Sequence, residues 1–237
     1  MQFDIHTHTI ASGHGTDCTI ADMAKSASAR GLKMLGISDH GPATLGAGKP
    51  SYFRSLLMSP GYRCGVRVLY GIELNILDTL GTVDLEDDIL SRLDYGIASL
   101  HTQNHKPGSR EENTQSYIAA MAHSNVKMIG HCDDVKYPVD YLALVQAAKE
   151  HHVILELNEA SLTPGGYRGD TRENDQELLK WCRIYQHPIV LSSDSHGPEN
   201  IGMFSHCRSL LKAVDFPDKL VLNNSMNDLL DYFHIGR

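Results

Sequence analysis

Apolar runs of strand length alternate along this chain with amphipathic stretches of helical period. "FDIHTH" (3–8), "MLGISDH" (34–40), "VRVLYGIE" (66–73), "YGIASLH" (95–101), "VKMIGH" (126–131), "VILELN" (153–158) and "PIVLSSDSH" (188–196) read as seven strands. Most are near-continuously apolar until their last residues, the pattern of strands covered on both faces of a parallel sheet. Between them lie the helical segments "TIADMAKSASARG", a short helix near 52–58, "DLEDDILSRL", "EENTQSYIAAMAHS", "DYLALVQAAKEHH" and "ENDQELLKWCRIY". Two further helices are predicted near 203–213 and 226–234. Thr19 is placed to cap the first helix and Gly31 falls just past its end, the asymmetry that marks helix boundaries. Strand–helix alternation predicts an α/β fold. Seven such units in 237 residues favour a distorted (β/α)7 TIM-like barrel over an open sheet. No repeat or long linker interrupts the chain, so residues 1–237 read as one domain.

The polar residues that break this pattern recur at one kind of position. The first predicted strand ends in His6 and His8, the second in His40, the third in Glu73 and the fourth in His101. The fifth ends in His131 and the seventh in Asp194 and His196, while the sixth ends in Asn158 and Glu159. In a parallel barrel all strand C-termini open on one face, so these distant residues converge there. A period of two also sends His6 and His8 to one side of their strand, and Asp194 and His196 to one side of theirs. Neutral imidazole is the commonest metal-binding side chain. Any one of these histidines alone reads as an ordinary surface or core residue; together with His14 in the first loop, they read as a metal site. The remaining histidines are expected to be structural. His123, His151, His152, His206 and His234 belong to helices, His187 precedes a proline in a turn, and His105 is expected on a surface loop. Cys132 is expected to be a small buried residue.

Composition narrows the partners. Hydrophobic residues make up 41% and charged residues 21%, an ordinary soluble globular balance. With 21 basic against 29 acidic residues the net charge is −8, which disfavours a nucleic-acid backbone as partner. No run approaches the roughly 18 apolar residues of a membrane span. The start "MQFDIHTH" lacks the features of a secretory signal. The five cysteines are scattered without a CxxC pair and read as reduced thiols, so a cytoplasmic location is expected; a homo-oligomer is compatible with all of this.

The motifs HxH, "SDH", "GIE", "SLH", "GH" and "DSH", with His14 in the first loop, resemble the PHP (polymerase and histidinol phosphatase) superfamily. "DHGP", "NTQ", "LELN" and "AVDFP" add a likeness to its YcdX-type phosphatases. The resemblance spans nearly the whole chain and implies a distorted seven-stranded barrel with a trinuclear metal centre, usually of zinc. Carried over by position, it implies one ion on His6, His8, Glu73 and Asp194, and a second on His14, His40 and His196. A third would take His101 and His131 and share Glu73 as a bridge. "HCDDVKY" and the loop after His101 depart from the relatives and put the substrate, rather than the metals, in question.

Mixed imidazole and carboxylate ligation suits Zn, with Mn or Fe(II) as alternatives, and does not suit an all-oxygen Ca or Mg cage. A divalent ion lowers the pKa of its water from 15.7 to about 7, and paired ions can stabilise attacking and leaving oxygens at phosphorus. Three such ions against two carboxylates leave a local charge of about +4, enough to draw an anionic substrate to an acidic protein. Glu73 and Asp194 then anchor and bridge metals. Asn158, Arg168 and Arg172 are the candidate substrate contacts, and the segment 41–50 with Lys49 is a candidate lid. Asp39 is a candidate for orienting an imidazole or capping a loop. The leading expectation is a metal-dependent phosphomonoesterase acting on a small phosphorylated metabolite. Histidinol-phosphate phosphatase is the nearest alternative. An amidohydrolase-type enzyme fits less well, because Asn158 stands where that family has a histidine. A phosphodiesterase lacks a basic aromatic strip, and a metal-stabilised binding domain would be expected to have lost ligands.

Overall fold

The computed structural model describes residues 1–236. Seven parallel strands lie in the order β1 (Phe3–Asp4), β2 (Met34–Ile37), β4 (Val66–Asn75), β5 (Tyr95–Ser99), β6 (Val126–Ile129), β7 (Ile154–Asn158) and β8 (Ile189–Ser192). They form a nearly closed α/β barrel, the distorted TIM-like fold expected from the alternation. Beyond β1 and β8 the ring is joined at a single parallel bridge, Thr7 to Ser195, where the His8 N–H donates to the Ser195 carbonyl at 2.9 Å. Below it the buried Asp4 carboxylate stitches the same seam, accepting from the N–H groups of Ser193 and Gly202 at 3.2 and 2.8 Å. Burial pushes Asp4 up to about 6 although these hydrogen bonds oppose the shift.

Alternation along the strands builds the interior. Phe3, Met34, Leu69, Tyr95, Met128, Ile154 and Val190 pack into one apolar cluster inside the ring. Gly36 and Gly71 make room for Tyr95: a Cβ at Gly36 would stand 2.2 Å from its hydroxyl, which donates to the Ile5 carbonyl at 2.6 Å. Leu229, Leu230 and Phe233 of α8 (Met226–Phe233) join the same cluster, so the C-terminal helix packs against the barrel interior. A second cluster fills the space between strands and outer helices.

The outer helices are α1 (Ile20–Ala29), α2 (Pro50–Leu56), α3 (Asp87–Leu90), α4 (Arg110–Ala120), α5 (Tyr141–His151), α6 (Arg172–Tyr185) and α7 (Ser205–Ala213). Thr19 caps α1 as expected, in a reciprocal pair with Asp22, and Gly31 beyond it takes a left-handed φ of 75°. Three local departures have physical causes. The first strand is shorter than 3–8 because its backbone leaves the ladder to close the ring at Thr7. The helix after the third predicted strand shrinks to α3 because Asp84 is drawn away. Its carboxylate accepts from the N–H groups of Asn75 and Ala43, both at 2.9 Å. Finally, β3 (Tyr62–Arg63), an added strand, pairs antiparallel with β4. Among the described residues, no helix is long and apolar enough to cross a membrane.

Candidate metal centre

Glu73 stands at the centre of the barrel mouth, fully buried, on the face of β4 reached by alternation from Leu69 through Gly71. Its two oxygens look in different directions. Oε2 lies 2.7 Å from His40 Nδ1, 3.4 Å from His6 Nε2 and 3.6 Å from His8 Nε2. Oε1 lies 2.8 Å from His131 Nε2 and 3.2 Å from His101 Nε2. Asp194 closes the other side, with Oδ1 3.1 Å from His8 Nε2 and 3.7 Å from His6 Nε2. Donor atoms gather into three overlapping sets, each within 4.8 Å: His6, His8 and Asp194; His8, His40 and His196; His40, Glu73 and His101. His14 sits at the rim, exposed, with its ring 4.9 Å from that of His40 and 5.0 Å from that of His196. Gly15 beside it takes a φ of 81°, and a Cβ there would meet the His196 ring at 2.6 Å.

The imidazoles are tied from behind. His6 Nδ1 bonds to Glu156 Oε1 at 2.8 Å, and His101 Nδ1 to Asn75 Oδ1 at 2.7 Å. His8 Nδ1 bonds to the Ser12 hydroxyl at 3.0 Å, and that hydroxyl donates to Asp39 at 2.7 Å. His196 Nδ1 reaches the Asp194 carbonyl at 3.2 Å. An acceptor behind Nδ1 places the proton there and leaves the Nε2 lone pair facing inward. All four of those Nε2 atoms are buried with no hydrogen-bond partner, as are His40 Nδ1 and Glu73 Oε2. His40 Nδ1 and Glu73 Oε2 approach to 2.7 Å without hydrogen-bond geometry. Buried polar atoms are otherwise nearly always paired. Converging orphaned lone pairs with two carboxylates are the donor set a divalent cation requires.

Electrostatics favour ionised carboxylates and, for several of the imidazoles, the neutral ring. Burial would raise Glu73, but His40, His101 and His6 outweigh it and hold it well below the usual carboxylate range. Burial likewise opposes ionisation of Asp194, and His6 and Arg168 overcome it. Burial lowers His8, His131 and His196, aided by neighbouring cationic groups, which favours neutral imidazole. His6 and His40 are the exceptions: burial opposes their charge, but Glu156, Asp194 and Glu73 raise His6 well above its ordinary value, and Glu73 with Asp194 raises His40. The backbone is strained here too. His131 (φ 27°) and Asp194 (φ 53°) both occupy left-handed conformations, which cost about 1–3 kcal/mol each and cluster at functional sites.

The mouth opens into a cavity of about 780 Å³. Arg168 lines it and places Nη2 2.7 Å from Asp194 Oδ2. The other two candidate substrate contacts lie elsewhere. Asn158 is fully buried, and its amide is spent on the protein, donating to Glu156 and Asp194 and accepting from the Ser161 N–H. Arg172 is exposed at the first turn of α6 and does not line the cavity. Two histidines expected to be peripheral are not. His206 lines the cavity, because the segment after β8 crosses the mouth before α7 begins, and His105 is buried rather than on a surface loop. Cys132 is buried as expected, and Asp39 both holds Ser12 behind His8 and accepts from the Thr9 N–H. Glu156 was not anticipated. Its signal is a charged residue inside the apolar run "VILELN", two positions before Asn158 and so on the same strand face.

A parallel barrel that gathers this donor set at its strand C-termini is an α/β barrel with a candidate metal site. The chain belongs to the PHP-domain family, whose pattern it matches over residues 4–198. It is 37% identical over 235 residues to a probable phosphatase of Caldicellulosiruptor saccharolyticus, covering 99% of this chain and 97% of that one. It is 39% identical over 229 residues to a probable phosphatase of Acetivibrio thermocellus, covering 97% and 93%. Among solved structures, histidinol phosphate phosphatase of Lactococcus lactis, complexed with zinc, L-histidinol and phosphate, is similar in fold. The TM-score is 0.65 at 19% identity, covering 91% of this chain and 94% of that one.

Proposed function

We propose that this protein is a metal-dependent phosphomonoesterase that binds three divalent ions, zinc best fitting the donors, and cleaves the phosphate ester of a small metabolite. The convergence of orphaned imidazole nitrogens on Glu73 carries this reading. Its relatives are probable phosphatases, and the similar barrel of Lactococcus lactis is complexed with zinc and phosphate. His6, His8 and Asp194 would hold one ion, with His40, His196 and His14 at a second and His101 and His131 at a third. Glu73 faces all three groups and would be shared between the first ion and the third.

Bound divalent ions supply Lewis acidity and a water acidic enough to attack phosphorus near neutral pH. The protein's own part is positioning. Glu156, Ser12 and Asn75 hold three imidazoles with their Nε2 lone pairs inward, so no reorganisation is needed when a substrate arrives. Asn158 and Arg168 fix the Asp194 carboxylate from two sides. Arg168 also presents a guanidinium to the cavity, where it would meet a phosphate oxygen not engaged by metal. α8, beyond the family match, packs against the barrel interior, so we take the whole chain as one catalytic unit.

Elemental analysis of the purified protein, joined to a phosphate-ester panel with and without chelator, tests this. Bound metal and loss of turnover on chelation are expected. A metal-free protein that still hydrolyses esters overturns the mechanism.

A further inference from the structure

The charged residues of the outer cavity already have partners within the protein. Glu159 lines the chamber but serves as the internal cap of α7. Its Oε1 accepts from the Ser205 hydroxyl at 2.9 Å and the His206 N–H at 2.8 Å, and its Oε2 from the Cys207 N–H at 2.8 Å. Asp134 accepts from the Lys136 N–H at 2.9 Å, and the Lys136 ammonium stands 3.6 Å from its other oxygen. That ammonium is itself held at the rim, 3.5 Å from the centre of the Tyr167 ring. Arg168 is engaged with Asp194.

The neutral polar groups differ. The side chains of Gln103 and Asn200, both exposed, and of half-buried His206 line the chamber, and none has a side-chain hydrogen-bond partner among the described residues. Met203 supplies an apolar surface beside them. An ammonium-bearing leaving group would find no carboxylate here that the protein has not already engaged. A leaving group with several hydroxyls and one apolar face would satisfy the amides and cover the methionine.

Resting on the phosphatase reading, we propose that the substrate is a phosphate monoester of a neutral sugar hydroxyl, free or within a nucleoside, read by Gln103, Asn200 and His206. This sets the chain apart from an enzyme for a cationic amino-alcohol phosphate. The chemistry at phosphorus is unchanged; only the recognised alcohol is specified.

The test is steady-state kinetics of the metal-loaded protein on ribose 5-phosphate, adenosine 5′-monophosphate, histidinol phosphate, phosphoethanolamine and p-nitrophenyl phosphate. The better sugar ester should exceed both cationic esters in kcat/KM by about tenfold or more. Asn200→Ala and Gln103→Ala should each raise KM for that ester about fivefold while moving kcat less than about twofold. Preference for adenosine 5′-monophosphate over ribose 5-phosphate assigns the nucleoside form, and the reverse assigns the free sugar; either supports the proposal. If p-nitrophenyl phosphate is cleaved but a cationic ester equals or exceeds the sugar esters, this inference alone falls. Unmoved KM values in both variants overturn it as well. If no ester is cleaved, the phosphatase reading fails and takes this inference with it.

Discussion

Glu156 Oε1 lies 2.8 Å from Nδ1 of His6, both side chains fully buried, and this contact fixes which face of the imidazole looks into the barrel mouth. The other carboxylate oxygen accepts from the His131 N–H at 2.5 Å and from the Asn158 amide at 3.1 Å. One glutamate thus steadies two of the candidate metal-binding histidines and the residue that donates to Asp194.

Glu156→Gln should therefore weaken metal binding and turnover by about 10- to 100-fold without unfolding the chain. A glutamine amide cannot accept at both positions, so either His6 or the donors from His131 and Asn158 lose their partner. Metal titration and far-ultraviolet circular dichroism check this together; wild-type affinity in a folded variant would contradict the orienting role.

Glu73→Ala should cost more than His14→Ala. Glu73 faces His6, His8, His40, His101 and His131, whereas His14 touches the cluster from the rim. Loss of bound metal and turnover of about 100-fold or more for Glu73→Ala, against about tenfold for His14→Ala, is expected. Metal content per chain and initial rates read both, and equal small effects would remove Glu73 from its bridging position.

The two arginines after β7, Arg168 in the loop and Arg172 at the start of α6, should separate sharply. Arg168→Ala leaves Asp194 without its 2.7 Å partner and should lower kcat/KM by about 100-fold or more. Arg168→Lys should restore little, because a point ammonium does not reproduce the planar fork. Arg172→Ala, on an exposed helix turn, should stay near wild type in rate and within about 0.5 kcal/mol in stability. A similar loss at both positions would return Arg172 to the substrate site.

His187 should make stability depend on pH. Burial holds it down to about 4 from its ordinary 6.5, so the unfolded chain binds more protons between those values. Stability contributed by the neutral ring is therefore full above 6.5 and is lost as pH falls toward 4, an effect of about 3 kcal/mol. Urea unfolding at about pH 7 and about pH 4.5 should show a steeper loss for wild type than for His187→Gln. Parallel losses would mean that the ring is solvated in the folded protein.

Much of this architecture is legible in the order of residues. Apolar runs covered on both faces differ in period from amphipathic helices, and each ligand-type residue at a strand end inherits its position from the strand before it. His6, His8, His40, Glu73, His101, His131, Asp194 and His196 could be placed at one mouth because parallel strands all end on the same face. Local pattern carries that information. It does not carry the identity of what stands behind each imidazole. Ser12 reaches His8 from four residues away, but Glu156 and Asn75 belong to different units from the histidines they steady, and only the assembled barrel brings them within hydrogen-bonding distance. The fates of Arg168 and Arg172, four residues apart, were likewise undecided until the loop closed over the mouth and turned into α6. Periodicity is a property of the nearest neighbours along the chain, and it fixed where the ligands lie. Orientation, pairing and exposure depend on contacts across the barrel, such as that between His6 and Glu156, 150 positions apart, and those exist only once the ring has formed.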